Sequence, residues 1–162
     1  MQIDFHMEKH QALVPLIIAD IYELAGRFRN NGEAIAGTVG QTQARWQVMS
    51  AASAEPKTVP QIARRLGVTR QNVQRIADFL VAERWASFEP NPDHRGSPYF
   101  VLNRRGRDVL DRLTVAAASH HGRLARRLAA AEIQSIHRSL RRLLSATADV
   151  EFANSATLGV TS

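Results

Sequence analysis

Apolar residues return at helical spacing in several separate stretches of the chain, and these stretches predict its elements. Leu13, Leu16, Ile17, Ile21, Leu24 and Phe28 give one apolar face to a helix over Glu8–Asn30. Asn30, Asn31 and Gly32 read as its stop, and the small residues of Gly32–Gly40 as a linker or short helical turn. Trp46, Val48, Met49 and Ala52 predict packing positions on a second helix across Gln41–Ala54, broken by Glu55, Pro56 and Lys57. Between Asn103 and about Asp149 the pattern predicts one long helix followed by another. Val109, Leu110, Leu113 and Ala117 stripe the first; Leu128, Ile133, Ile136, Leu140, Leu143 and Leu144 stripe the second. The small, polar tail after Asp149 is expected to fray. No repeat occurs at the periods of solenoid proteins.

The middle of the chain changes rhythm. Thr58 and Gln61 form a Thr-x-x-Gln capping box, in which two orphan backbone N–H groups are satisfied reciprocally. Pro60 falls in the first turn, where its missing donor costs little. Val59, Ile62, Ala63 and Leu66 face inward, and Gly67 is placed to end the helix in a left-handed conformation. Thr69 then caps a second helix whose buried face is Val73, Ile76, Ala77, Leu80 and Val81. Ser87–Pro90 and Pro98–Leu102 read as two short strands around a polar tip, Asn91–Ser97. Helix, glycine turn, helix and Arg-tipped hairpin, in that order, predict a winged helix-turn-helix within a mainly α fold.

That order gives particular residues a chemistry. In a helix-turn-helix the start of the second helix enters the major groove of DNA. Arg70, Gln71, Gln74 and Arg75, with Asn72, occupy its exposed side. Arginine pairs bidentately with guanine, and Gln or Asn with adenine. A merely solvated face would also be polar. The first acids, however, are Asp78 and Glu83, which leaves the leading end free of negative charge. Thr58 and Thr69, at the two helix starts, join these residues as the DNA-binding set. On the hairpin, Arg95 is expected to reach the minor groove or its phosphates, with Asp93 holding the guanidinium in a bidentate pair. Taken alone, the tip would be an exposed turn with an ion pair worth little; after the helix pair, a wing is the better reading.

Composition narrows the partners. The chain has 162 residues, 44% of them hydrophobic, which is enough for a folded core. Its net charge of +6, carried mostly by arginine, favours a polyanion without separating DNA from RNA or anionic lipid. There is no cysteine, so disulfides and thiolate metal sites are excluded and a reducing cytoplasm fits. The apolar run Ala12–Ile18 is too short to span a bilayer, so a cytoplasmic location without membrane contact is expected. Adjacent His120 and His121 cannot chelate one metal alone, and His6, His10 and His137 could join them only through folding or dimerisation. No carboxylate pair, nucleophile with a supporting acid, or phosphate loop stands out, so neither an enzyme, a metal site nor a cofactor is expected.

RWQVMSA at Arg45–Ala51, VPQIARRLGVTRQNVQRIADFLVAERW at Val59–Trp85, NPDHRG at Asn91–Gly96 and LNRRGRDVL at Leu102–Leu110 together resemble the MarR family of bacterial transcription regulators. The likeness covers most of the chain in the family's order. It implies a homodimer whose terminal helices interdigitate, here through Leu13, Leu16, Ile17, Leu140, Leu143 and Leu144. On this reading residues 1–40 are a dimerisation helix and linker, 41–102 the DNA-binding domain, 103–149 the C-terminal dimerisation helices and 150–162 a tail. A two-fold dimer implies a pseudo-palindromic operator, bound for regulation, most simply repression. Two details depart from the family: Pro98 within the wing, and Asn103 in place of a common Thr. The resemblance also implies a small anionic or aromatic effector, for which Trp46 as a wall and Arg45 as a charge are the local candidates. Core packing for Trp46 and a surface position for Arg45 compete with that role. Two other classes of function stay open: a winged-helix module binding protein or RNA, and a histidine-dependent metal sensor.

Overall fold

The computed structural model describes the backbone of residues 5–155 and the side chains of residues 11–148. Its elements are α1 (Phe5–Gly37), α2 (Gln43–Ala51), β1 (Lys57–Thr58), α3 (Val59–Leu66), α4 (Arg70–Ala82), β2 (Ala86–Glu89), β3 (Tyr99–Leu102), α5 (Arg104–Ala125) and α6 (Ala130–Ser155). Two compact units meet within α5, one ending at Ala117 and the other starting at Ala118.

In the first unit, α2, α3 and α4 pack their apolar faces together over a three-stranded antiparallel sheet of order β1-β3-β2. Ile62, Val73, Leu80, Leu113 and Phe100 are fully buried in one continuous core. In the central strand β3, buried Phe100 and Leu102 alternate with half-buried Tyr99 and Val101, the period of two that a strand with one covered face shows. Phe88 of β2, directly opposite Phe100, meets it edge-on at 6.0 Å. The last two turns of α1 join this core through Ala36, which is fully buried.

Several boundaries differ from the sequence expectation, each for a physical reason. Helix α1 does not stop at Asn30–Gly32; it runs to Gly37, so most of the expected linker is helical. Gly32 serves as a notch there: a Cβ on it would lie 2.0 Å from Oε1 of Gln43. At the next residue, the Glu33 carboxylate accepts from Gln43 N–H at 2.7 Å. Tertiary packing thus overrides the poor helix propensity of Asn-Asn-Gly. The turn comes later, with Gly40 at φ +72°. Helix α2 is shorter than expected because Thr42 caps it, accepting from Arg45 N–H, and it ends at Ala51. Strand β1 is an addition, since Lys57 and Thr58 pair with Phe100 and Tyr99 where a helix break had been read. Glu55 folds back onto Lys57, whose hydrogen bond and charge hold that carboxyl below its ordinary pKa.

In the second unit, α5 ends at Ala125 and Ala129 N–H donates to the Glu132 carboxylate at 2.7 Å as α6 begins. The backbone of α6 stays helical through the start of the expected tail, to Ser155; residues 156–162 lie outside the described part. Leu128, Ile133, Ile136, Leu140 and Leu144 are all exposed.

Candidate nucleic-acid interface

The two short helices are set by their caps. Gln61 N–H donates to Thr58 Oγ1 at 3.4 Å while Thr58 N–H donates to Gln61 Oε1 at 2.8 Å, completing the capping box. Gly67 closes α3 at φ 64°, and Val68 N–H donates to Ala63 O. Thr69 then turns the chain into α4, its Oγ1 accepting from Asn72 N–H at 3.2 Å. With Val73, Ile76, Ala77 and Leu80 buried, α4 can present only its opposite side, and that side begins with Arg70 and Gln71.

The four expected base readers divide into two pairs. Arg70 and Gln71 are exposed and carry no side-chain hydrogen bond within the described residues. Gln74 and Arg75, also exposed, are tied along the helix: Gln74 Nε2 donates to Asp78 Oδ1 at 2.7 Å, and Arg75 Nη2 to Asn72 Oδ1 at 3.2 Å. No acidic residue lies in the first turn, so the partial positive charge of the helix end adds to that of Arg70.

The wing is organised by a residue the sequence reading passed over. Asn91 is buried, and its carboxamide spans the tip: Nδ2 donates to Ser97 O at 3.0 Å, and Oδ1 accepts from Asp93 N–H at 3.0 Å. Asn-Pro-Asp carried the signal, since an Asn side chain can hydrogen-bond the backbone two residues on. His94 N–H to Asn91 O and Ser97 N–H to His94 O close two successive turns. The expected Asp93–Arg95 pair is not formed; among the described residues the ion pairs are Arg27–Glu23 and Lys57–Glu55. Asp93 is engaged through its backbone instead, which leaves Arg95 exposed at the tip.

Between wing and helices run two adjoining clefts. One, of about 620 Å³, is lined by Thr58, Gln61, Arg64, Arg70, His94 and Tyr99 among others. Its neighbour, of about 420 Å³, brings Gln71 and Gln74 against Phe88 and the wing residues Gly96 to Pro98. Arg64, Arg70, amides and a helix N-terminus thus converge on one face with a single acid, Asp93, in the lining, a positive balance suited to a polyanion's phosphates and the groups between them.

The two effector candidates have structural partners. The Arg45 guanidinium lies 3.7 Å from the centre of the Phe79 ring, and Trp46 packs against the core. Trp46 also walls a cleft of about 260 Å³ with Gln43, Gln47 and Arg65. The rings of His120 and His121 are 6.1 Å apart, and among the described residues no three potential ligands gather as a metal site. The side chains of His6 and His10 lie outside the described residues. Among those residues no helix is long and apolar enough to cross a membrane.

A family model described as the MarR family matches residues 40–95, from the end of α1 to the wing tip. An uncharacterized protein of Mycobacterium tuberculosis is 49% identical over 130 residues, covering 80% of this chain and 91% of the relative. Among solved structures, a mutant MarR from E. coli complexed with operator DNA superposes with TM-score 0.66 at 21% identity, covering 82% of this chain and 96% of the other. CouR from Rhodococcus jostii, bound to p-coumaroyl-CoA, superposes with TM-score 0.68 at 14% identity, covering 76% and 87%. At those identities the superpositions establish a shared winged-helix fold.

Proposed function

Because the chain belongs to the MarR family, we propose that it is a homodimeric transcription regulator acting on double-stranded operator DNA. The observation that carries this reading is the leading end of α4. Arg70 and Gln71 stand there without side-chain hydrogen bonds among the described residues, on an acid-free first turn, beside a cleft closed by the wing. The operator-bound E. coli neighbour, whose fold this chain shares, supports the same reading.

On this proposal Arg70, Gln71, Gln74 and Arg75 read base edges, with Asn72 orienting Arg75. Thr58 and Thr69 set the two helix starts against the phosphates. Arg95 reaches the flanking groove from the wing, with Asp93 in the turn that carries it. Two copies associate through α1 and α6, whose apolar faces include Leu13, Leu16, Ile17, Leu140, Leu143 and Leu144. The operator is then pseudo-palindromic, with half-sites about one helical turn apart. Regulation is by repression in the cytoplasm, relieved by a small anionic or aromatic effector. The CoA thioester in the Rhodococcus neighbour is an example of such a ligand on the same fold.

Selection of binding sites from genomic DNA with the purified protein tests the proposal, and a two-fold enriched sequence is the expected result. Arg70→Ala should then cost about 1–3 kcal/mol and relax preference at one base position. Arg95→Ala should weaken all duplexes evenly and lower the salt slope by about 1. Equal affinity for selected and scrambled duplexes would overturn the regulator reading, and preference for structured RNA would replace it.

A further inference from the structure

The far end of α4 is held by a joint that the DNA-reading face does not explain. The helix ends at Ala82 with Glu83 as its cap, and Arg84 follows at φ 60°. Among the described residues Arg84 alone takes that left-handed conformation without being glycine. Arg84 N–H donates to Val81 O and Trp85 N–H to Leu80 O, each at 2.9 Å, the pairing with which helices end on a left-handed residue. Glycine serves at that position without strain, whereas an arginine Cβ crowds the following carbonyl. Something must hold the corner.

Asn103 holds it from two atoms and ties it to α5 through a third. Its backbone N–H donates to the Trp85 carbonyl at 3.1 Å, and its Nδ2 donates to the Arg84 carbonyl at 2.9 Å. Its Oδ1 faces the other way and accepts from Gly106 N–H at 3.1 Å, capping α5. The start of α5 comes so close to the turn after α4 that a Cβ on Gly106 would lie 2.1 Å from the Trp85 carbonyl oxygen. On its other side α4 is gripped by α2: Arg45 stacks on Phe79, and Phe79 meets Trp85 edge-on at 6.3 Å.

We propose that Asn103 is a positioning residue for operator docking, fixing the angle of the recognition helix against α5 and so, in the dimer, the spacing of the two reading ends. The inference rests on the two-fold DNA-binding reading above. The 13 residues of α4 make a lever of about 20 Å. A rotation of about 10° at the joint would swing Arg70 by about 3.5 Å, close to one base-pair step. Only a side chain that both donates and accepts makes this clip. Asn103→Ser keeps a good helix cap but falls short of the Arg84 carbonyl. Asn103→Asp keeps cap and acceptor but sets a carboxylate against that carbonyl.

The test uses the full-length protein, the selected operator, and the same operator with one base pair inserted or removed between half-sites. The unsubstituted protein should lose about 10- to 100-fold in affinity on either altered spacing. Asn103→Ser and Asn103→Asp should bind the selected operator about 10-fold more weakly and discriminate spacing several-fold less. The ratio between duplexes is the decisive quantity, because partial unfolding lowers all affinities together and leaves it unchanged. Two variants that keep the unsubstituted protein's spacing ratio overturn the proposal, whatever their affinity. An unsubstituted protein indifferent to spacing overturns it as well, whereas one that binds a scrambled duplex as tightly as the operator overturns the regulator reading instead.

Discussion

Ile62 in α3 and Ile17 in α1 sit on apolar stripes of the same kind, yet the first is fully buried and the second 42% exposed. The contrast holds region by region. The winged part of the chain covers its own stripes, with Val73, Leu80 and Phe100 at no measurable exposure. Helices α1 and α6 leave theirs open, up to 60% at Leu16 and 61% at Leu144. Periodicity states that a face needs cover; it does not state which chain supplies it. The winged part can be stabilised by one copy of the sequence, while the stripes of α1 and α6 gain from burial only when a second surface arrives.

This difference can be broken from either side. Phe100→Ala should have the largest effect, about 3–5 kcal/mol of lost stability, because the ring fills the centre of a closed core. Denaturant unfolding followed by Trp46 and Trp85 fluorescence would measure it, and a loss under about 1 kcal/mol would mean the core repacks freely. Next come Ile17→Asp and Leu140→Asp on the open faces. Each should remove about 1.5–3 kcal/mol of association free energy while leaving the tryptophan unfolding transition in place. On the homodimer proposed above, sedimentation should then show the substituted protein dissociating at concentrations where the original stays associated. A variant that unfolds instead would make α1 and α6 part of the same cooperative core. Thr69→Ala is the mildest, about 1 kcal/mol through loss of the α4 cap. It should lower the unfolding midpoint slightly without altering oligomeric state, and any change in sedimentation would argue that the two regions are coupled through α4.

What was legible in the sequence was whatever a residue does to its own neighbourhood. The Thr58 and Thr69 caps, the left-handed Gly67 and the buried face of α4 each depend on chain within a few turns, and each is present as read. Features set by distant partners were illegible. Asn30–Asn31–Gly32 has the composition of a stop, and only the approach of Gln43 turns Gly32 into a packing notch. Strand β1 has two residues, too few to show alternation, and exists because Phe100 and Tyr99 lie beside it. Within the candidate site, the exposure of Arg70 and Gln71 at the start of α4 was legible from helical phase alone. The Asp93–Arg95 pair failed because adjacency in sequence is weak evidence of contact in a turn, where backbone hydrogen bonds decide direction. Asn103 stood out in the sequence only as a departure from the family's Thr, and its grip on Arg84 joins positions 19 apart.

Thr58 belongs at once to three structures: it pairs with Tyr99 in the sheet, caps α3, and lines the cleft beside the wing. In mechanical terms it is a shared anchor. A load placed on the hairpin tip passes along β3 into Thr58 and from there into the first turn of α3, rather than bending the hairpin alone. The wing is therefore a braced strut, and strain applied at its tip is shared with α3.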